Sequence, residues 1–310
     1  MLFNRDGNGS VELQQITGIF SASTDYSVIS SEIDDATRKV AELVGKDVVK
    51  KAEDYYYNGE LETNQLVSAV RQAVAILAVF RYSKNNLISH GDTGAKIVVD
   101  QNEKIPFEWM VDRDQQAQLE RWYRTMDALY KVLEDTEDPS WMDSEIRNVY
   151  KGSIVRSLME FERVYPVDGS YYVYYMLQNL VIEAQPRIRR MIGADLWDEM
   201  VGDEPGELAQ ALLPLCRRYA ILSALITAVR RWNLEVFPIA IARRFAPTYQ
   251  GNRSSQVALK EEMDAFVEGI EGQLEGIREE IAEELQEGNP ANGFDLMPKG
   301  DRRNKYFSAQ

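Results

Sequence analysis

Residues 26–49, YSVISSEIDDATRKVAELVGKDVV, decide the fold when laid against residues 174–197, YYMLQNLVIEAQPRIRRMIGADLW. Position for position, Tyr26 meets Tyr174, Ile29 meets Leu177 and Ile33 meets Val181. Ala36 then meets Ala184, Val40 meets Ile188, Val44 meets Ile192, Gly45 meets Gly193 and Asp47 meets Asp195. The apolar positions step by three and four, the spacing of one face of an α-helix. A glycine closes each copy, the usual residue for a left-handed helix C-cap. Asp47 and Asp195 each open a second, short helix, where a carboxylate favours the free amides.

Working outward, the match resumes after a shift of two residues. Leu66 meets Leu212, Val70 meets Cys216, Arg71 meets Arg217, Val74 meets Ala220 and Ala78 meets Ala224. Residues 62–83 and 206–232 read as long helices with a broad apolar stripe. The sequence therefore predicts a mainly α fold of two related helical units, an internal duplication. Chance alignment of amphipathic helices is the alternative, but periodicity alone does not demand the matched glycine, aspartate and arginine.

Between the copies, residues 134–144 (EDTEDPSWMDS) form an acidic stretch with Pro139 that reads as a linker or helix break. Ahead of it, Leu119, Trp122, Met126, Leu129, Tyr130 and Leu133 share one helical face. The first half holds the clear β signal: 96–100 (KIVVD) and 104–109 (KIPFEW) flank a three-residue loop, a small β-hairpin with Pro106 on an edge strand. The expected organisation is a first helical unit over 1–139 with the hairpin near 96–109, and a second unit over 140–255. A long acidic helix over 256–288 and an extended tail over 289–310 follow.

The acidic helix has its own signature. Met263, Val267, Ile270, Leu274, Ile277, Ile281 and Leu285 form a coiled-coil-like seam. Eleven acids against two bases over 260–287 make it strongly negative, so it needs a surface to pack on. Gly269, Gly272 and Gly276 share a strip roughly opposite the seam, although each glycine costs a helix about 1 kcal/mol against alanine. Two readings are open: close approach of another backbone, from a neighbouring subunit or an extended tail, or a tolerated surface helix. The tail keeps Phe294, Leu296, Met297, Tyr306 and Phe307 as apolar anchors, with Lys299, Arg302, Arg303 and Lys305 making it basic. It reads either as an arm that lies on an acidic partner or as a disordered terminus.

Composition narrows the function classes. Of 310 residues, 45% are apolar and 27% charged, ordinary for a globular chain. One cysteine, Cys216, excludes an intramolecular disulfide framework, and with one histidine, His90, leaves too few ligands for a usual structural zinc site. The net charge of −15 argues against a DNA-coating protein. No signal peptide is legible, and the apolar run over 219–229 suits a buried helix better than a membrane span.

Chemical motifs are sparse. Residues 91–96 (GDTGAK) lack the spacing of a phosphate loop, and the stretch from Asp6 lacks the glycine and glutamate of a calcium loop. His90 lies in a polar turn without a nucleophile motif, and paired carboxylates fall on polar helix faces. No catalytic, cofactor-binding or metal-ligating residue is assigned, and the expectation is a protein that is not an enzyme. Four arginine pairs stand out: Arg189-Arg190, Arg217-Arg218, Arg230-Arg231 and Arg243-Arg244. They serve a partner's carboxylates or phosphates, or the chain's own acids. The tyrosines at 55–57 and 171–175 read as packing on helix faces, with hydroxyls that suit an interface.

The helix–Gly–Asp–helix unit EAQPRIRRMIGADLWDEM, followed by a long helix, resembles the helical head–tail connector proteins of tailed bacteriophages. It looks particularly like a duplicated, uncharacterised family from phages and prophages of Bacteroidetes. The resemblance covers 26–83 and 171–233, and the C-terminal helix loosely. It implies a structural virion protein in a homo-oligomeric ring, often of twelve copies, assembled in the host cytoplasm and docked between the portal protein and the tail or further adaptors. DNA would pass through without specific binding, and no membrane, cofactor or catalytic residue is implied. Simple connectors have one such unit, so the second copy departs from the pattern. The rival from another class is a stand-alone helical protein-binding or regulatory module; an enzyme with an all-carboxylate site is a third.

Overall fold

Side chains that can accept from free amides set the helix starts. Asn64 accepts from the Leu66 N–H at 3.0 Å, Ser144 from Arg147 at 3.1 Å, Ser157 from Glu160 at 3.2 Å and Ser170 from Val173 at 3.1 Å. Each satisfies an amide that the helix itself leaves unpaired. The computed structural model describes residues 2–59, 64–86, 89–91, 94–96, 107–202, 204–231, 243–244, 256–257 and 260–287.

Over those residues the chain is mainly helical. The first half runs α1 (Gly9–Thr17), a 3-10 turn (Tyr26–Val28), α2 (Ser30–Val44), α3 (Lys46–Asn58), α4 (Gln65–Asn85) and α5 (Glu108–Asp135). Three short helices connect onward: α6 (Pro139–Met142), α7 (Glu145–Lys151) and α8 (Leu158–Glu162). Then come α9 (Tyr171–Ile192), α10 (Ala194–Val201), α11 (Glu207–Arg231) and α12 (Lys260–Glu287).

The apolar periodicity explains the packing. In α2, Ile33, Ala36, Val40 and Val44 are buried, against α4. Helices α1, α3 and α5 also pack on α4, while α9, α10 and α12 pack on α11. Contacts between α5 and α9 join the halves into one continuous core. Helices α4 and α11 are long and apolar enough to cross a membrane, yet most of each apolar window is buried by the chain's own neighbouring helices. That share of their apolar surface is core.

The β expectation is corrected in part. Strand β1 (Ser89–Gly91) pairs antiparallel with β2 (Gly94–Lys96), ahead of the expected position near 96–109. Most of the expected strands, 97–106, lie outside the described residues, while Trp109 sits in the first turn of α5. A short apolar run ending at a helix start carries no period long enough to separate strand from helix. A two-residue ladder, β3 (Arg243–Arg244) with β4 (Gln256–Val257), lies between α11 and α12.

Candidate interaction surface

Two glycine joints set the helices' directions. Gly45 ends α2 and begins α3 with φ 98° and ψ 147°; Gly193 does the same between α9 and α10 with φ 90° and ψ 157°. The expected left-handed C-cap is corrected here: ψ is extended, a region essentially reserved for glycine. Each glycine N–H still donates back into its helix, to the Ala41 carbonyl at 2.9 Å and the Arg189 carbonyl at 3.0 Å. A Cβ at Gly193 would meet no atom within 4 Å, and at Gly45 only Ser144 at an ordinary 3.5 Å. The backbone conformation alone therefore sets the expected effect. Gly45→Ala and Gly193→Ala should each lower unfolding free energy by about 1–3 kcal/mol, read from urea denaturation midpoints.

Two arginines clamp a short helix onto a long one. Arg71 on α4 donates from Nε to the Leu2 carbonyl at 2.9 Å and from Nη2 to Glu12 on α1 at 2.5 Å. The Tyr56 hydroxyl donates to the same carboxylate at 3.0 Å and accepts from the Arg5 N–H at 2.9 Å. The Arg71 and Glu12 side chains are only 10% and 13% exposed. Burial lowers the Arg71 pKa against the pull of Glu12, and pushes the Tyr56 phenol up to about 12, keeping it a donor. On α11, Arg217 donates from Nε to the Ile154 carbonyl at 2.7 Å and pairs with Glu160 on α8 at 2.7 Å. This second clamp is more open, each side chain being 22% exposed.

The stretch read as a linker or helix break is a break, with α5 ending at Asp135 and α6 starting at Pro139, and it is packed as a joint. Trp141 on α6 is fully buried and donates from its indole N–H to Glu134 at 2.7 Å. Glu134 also accepts from Arg147 at 3.1 Å and from the Tyr175 hydroxyl. Trp141 packs on Tyr130 and Tyr175, and Tyr172 on Trp122 and Tyr123, so α5 and α9 meet across rings. The tyrosines at 172, 174 and 175 are core rather than surface, whereas Tyr57 is exposed.

A salt bridge braces that joint from α3. Lys51 meets Asp138 at 2.8 Å, and Asp138 caps α6 by accepting from the Ser140 N–H at 2.9 Å. Burial raises the Asp138 pKa, but the hydrogen bonds from Lys51 and Ser140 more than offset it, leaving it below the ordinary carboxylate value. A depressed folded pKa contributes stability above the unfolded value near 3.9, and that stability is lost as pH falls through the folded value. The stability advantage of the wild type over Asp138→Asn should therefore be full at pH 6 and shrink below about pH 4. Urea titrations of both proteins across that range measure it.

The outer surface of α12 is the broadest candidate for contact. Its seam is used within the chain: Val267, Ile270, Ile277 and Ile281 are buried, and the helix packs on α11. Gly269 and Gly272 are exposed and Gly276 half-buried, and a Cβ at any of them would meet nothing within 4 Å. Close approach of another backbone, one of the two readings of these glycines, is thus made by no described residue of this chain, and a tolerated surface helix remains the other. At about 100° per residue, Glu261, Glu268, Glu279 and Glu283 flank the glycine strip, all exposed. Phe294, Lys299, Arg302, Arg303, Lys305, Tyr306 and Phe307 lie outside the described residues.

Most of the arginine pairs serve the chain's own acids. Arg231 forms a two-pronged pair with Glu183 at 2.6 Å, Arg230 meets Glu271 at 2.6 Å, and Arg189 meets Asp198 at 3.5 Å. The side chains of Arg243 and Arg244 lie outside the described residues, as does that of His90. Among the described residues no group of His, Cys, Asp or Glu is placed to hold a metal ion. Residues 9–17 form α1 rather than a calcium loop, and Asp6 pairs with Arg5 at 3.1 Å. Cys216 is buried, and burial pushes its thiol up to about 12.

Sequence reasoning matched Arg71 with Arg217 but missed their partners, Glu12 and Glu160. The signal was present: the two glutamates stand at the same separation as Tyr26 and Tyr174. Residues 36–151, from within α2 to the end of α7, match a family of unknown function, DUF6712. No curated protein and no solved structure matches the chain.

Proposed function

We propose that the chain is a tandem duplication of one helical block and serves as the ring subunit of a head–tail connector in a tailed bacteriophage. Several observations support the duplication. Each half runs from a short helix through a helix, a glycine of shared conformation and a second helix to a long central helix. A short β ladder and a helix of 28 residues follow in both, α5 packing on α4 and α12 on α11. In both, an arginine of the central helix holds a backbone carbonyl and a glutamate of the short helix.

The observation that carries the connector reading is the outward acidic face of α12. Helix α12 as a whole carries −9 of the chain's −15 charges, and a Cβ at any glycine of its strip would meet nothing within 4 Å. A wall of that charge repels DNA phosphates and lets a genome slide past without sticking. A ring needs heterologous lateral contacts that close after a full turn. Twelve copies fit the resemblance, docked on the portal and leading to the tail in the virion. Light scattering of the purified chain tests this: a mass near twelve subunits, alone or on mixing with its portal, is expected. A mass of one or two subunits under both conditions favours a stand-alone binding module instead.

A further inference from the structure

Pro186 and Pro214 stand inside α9 and α11, where a proline has no N–H to donate. Each deprives the carbonyl four residues back, at Ile182 and at Gln210, of its usual donor and crowds it with the pyrrolidine ring. Proline is the least favourable residue for a helix interior. Both prolines are exposed, so neither is there to fill the core. In the first half the matched positions, Arg38 and Ser68, lie in helices that contain no proline. That comparison rests on the duplication; the rest of the argument stands without it and is independent of the connector reading.

A buried strap shows what holds each side of the two breaks. Residues 153–155 are buried and irregular, between α7 and α8. Gln185, next to Pro186, accepts from the Ile154 N–H at 2.8 Å, and Arg217, one turn beyond Pro214, donates to the Ile154 carbonyl at 2.7 Å. Gln178 and the Tyr174 hydroxyl both donate to the Val155 carbonyl, at 3.2 and 3.3 Å. Tyr174, Gln178 and Gln185 precede Pro186, and Arg217 follows Pro214. The strap therefore pins one side of the breaks.

The chain between the prolines is tied mainly to itself. Helix α10 packs on α9 and α11, with Ile188, Ile192, Trp197, Met200 and Leu212 buried. Arg189 pairs with Asp198 at 3.5 Å, and Glu199 accepts from the Gly206 N–H at 2.8 Å. Its tie back to the end of the strap is at the surface, where the exposed Arg156 donates to the Val201 carbonyl at 2.7 Å.

We propose that the described residues of 187–213 form a hinged flap that swings as one piece on Pro186 and Pro214, against a body pinned by the strap. A helix that already lacks a hydrogen bond changes direction there with less loss than elsewhere. The buried bonds of the strap hold the body, whereas the surface bond of Arg156 competes with water, so the flap opens first. Its buried apolar residues keep the open form a minor population.

Amide hydrogen exchange of the full chain, read by mass spectrometry, tests the hinge. Exchange over 187–202 and 207–213 is expected to be about tenfold faster than over 174–185 and 215–226. Pro186→Ala and Pro214→Ala restore the missing donor and should each slow exchange of the flap about tenfold, with the body unchanged. Arg156→Ala cuts the surface tie and should speed exchange of the flap about threefold. Arg156 is exposed, so its variant keeps the fold. Equal exchange on the two sides of the breaks, or exchange graded only by distance from the helix ends and indifferent to both proline variants, would overturn the hinge.

Discussion

Arg71→Ala should lower the free energy of unfolding by about 3–5 kcal/mol, because it leaves a buried carboxylate without its cation. Among the described residues Glu12 would keep only the Tyr56 hydroxyl, and the Leu2 carbonyl would lose the Arg71 Nε donor. The matching Arg217→Ala should have a smaller effect, about 1–2 kcal/mol, since water reaches both partners of that pair. Replacing Arg71 and Glu12 together by apolar residues should recover much of the loss, because an absent pair leaves no stranded charge. Urea denaturation of the four proteins at pH 7 gives the comparison. Equal small losses for both arginines would mean that neither clamp is desolvated.

Trp141→Ala is the second large effect, again about 3–5 kcal/mol. The indole is fully buried, so truncation opens a cavity between Tyr130 and Tyr175. It also removes the donor that Glu134 receives at 2.7 Å. Because α6 lies between the halves and Glu134 reaches Tyr175 on α9, the loss should fall on how the halves meet. Amide hydrogen exchange should then show faster exchange at the start of α9 than at the centre of α4. Trp141→Phe, which keeps the ring packing and drops the donor, should recover about half of the loss.

The sequence made the helices legible because their apolar positions repeat at three and four over many turns. Val40, Val44, Ile188 and Ile192 are all buried. The seam of α12 was legible for the same reason, down to Ile277 and Ile281. Two things were not. The acidic stretch 134–144 reads in composition as a linker or helix break, and it takes rings from two other helices, Tyr130 and Tyr175, to bury Trp141 there beside the half-buried Glu134. The clamps were half legible: a charged residue on an apolar stripe marks Arg71, but its partner sits on a helix too short to show a period.

The measurement that bears most directly on the connector account is electron microscopy of the chain bound to its portal. The account predicts a closed ring in which α12 faces the central channel, with Glu268, Glu279 and Glu283 towards the passing DNA. A ring with α12 on the outer rim, or no ring at all, would contradict it.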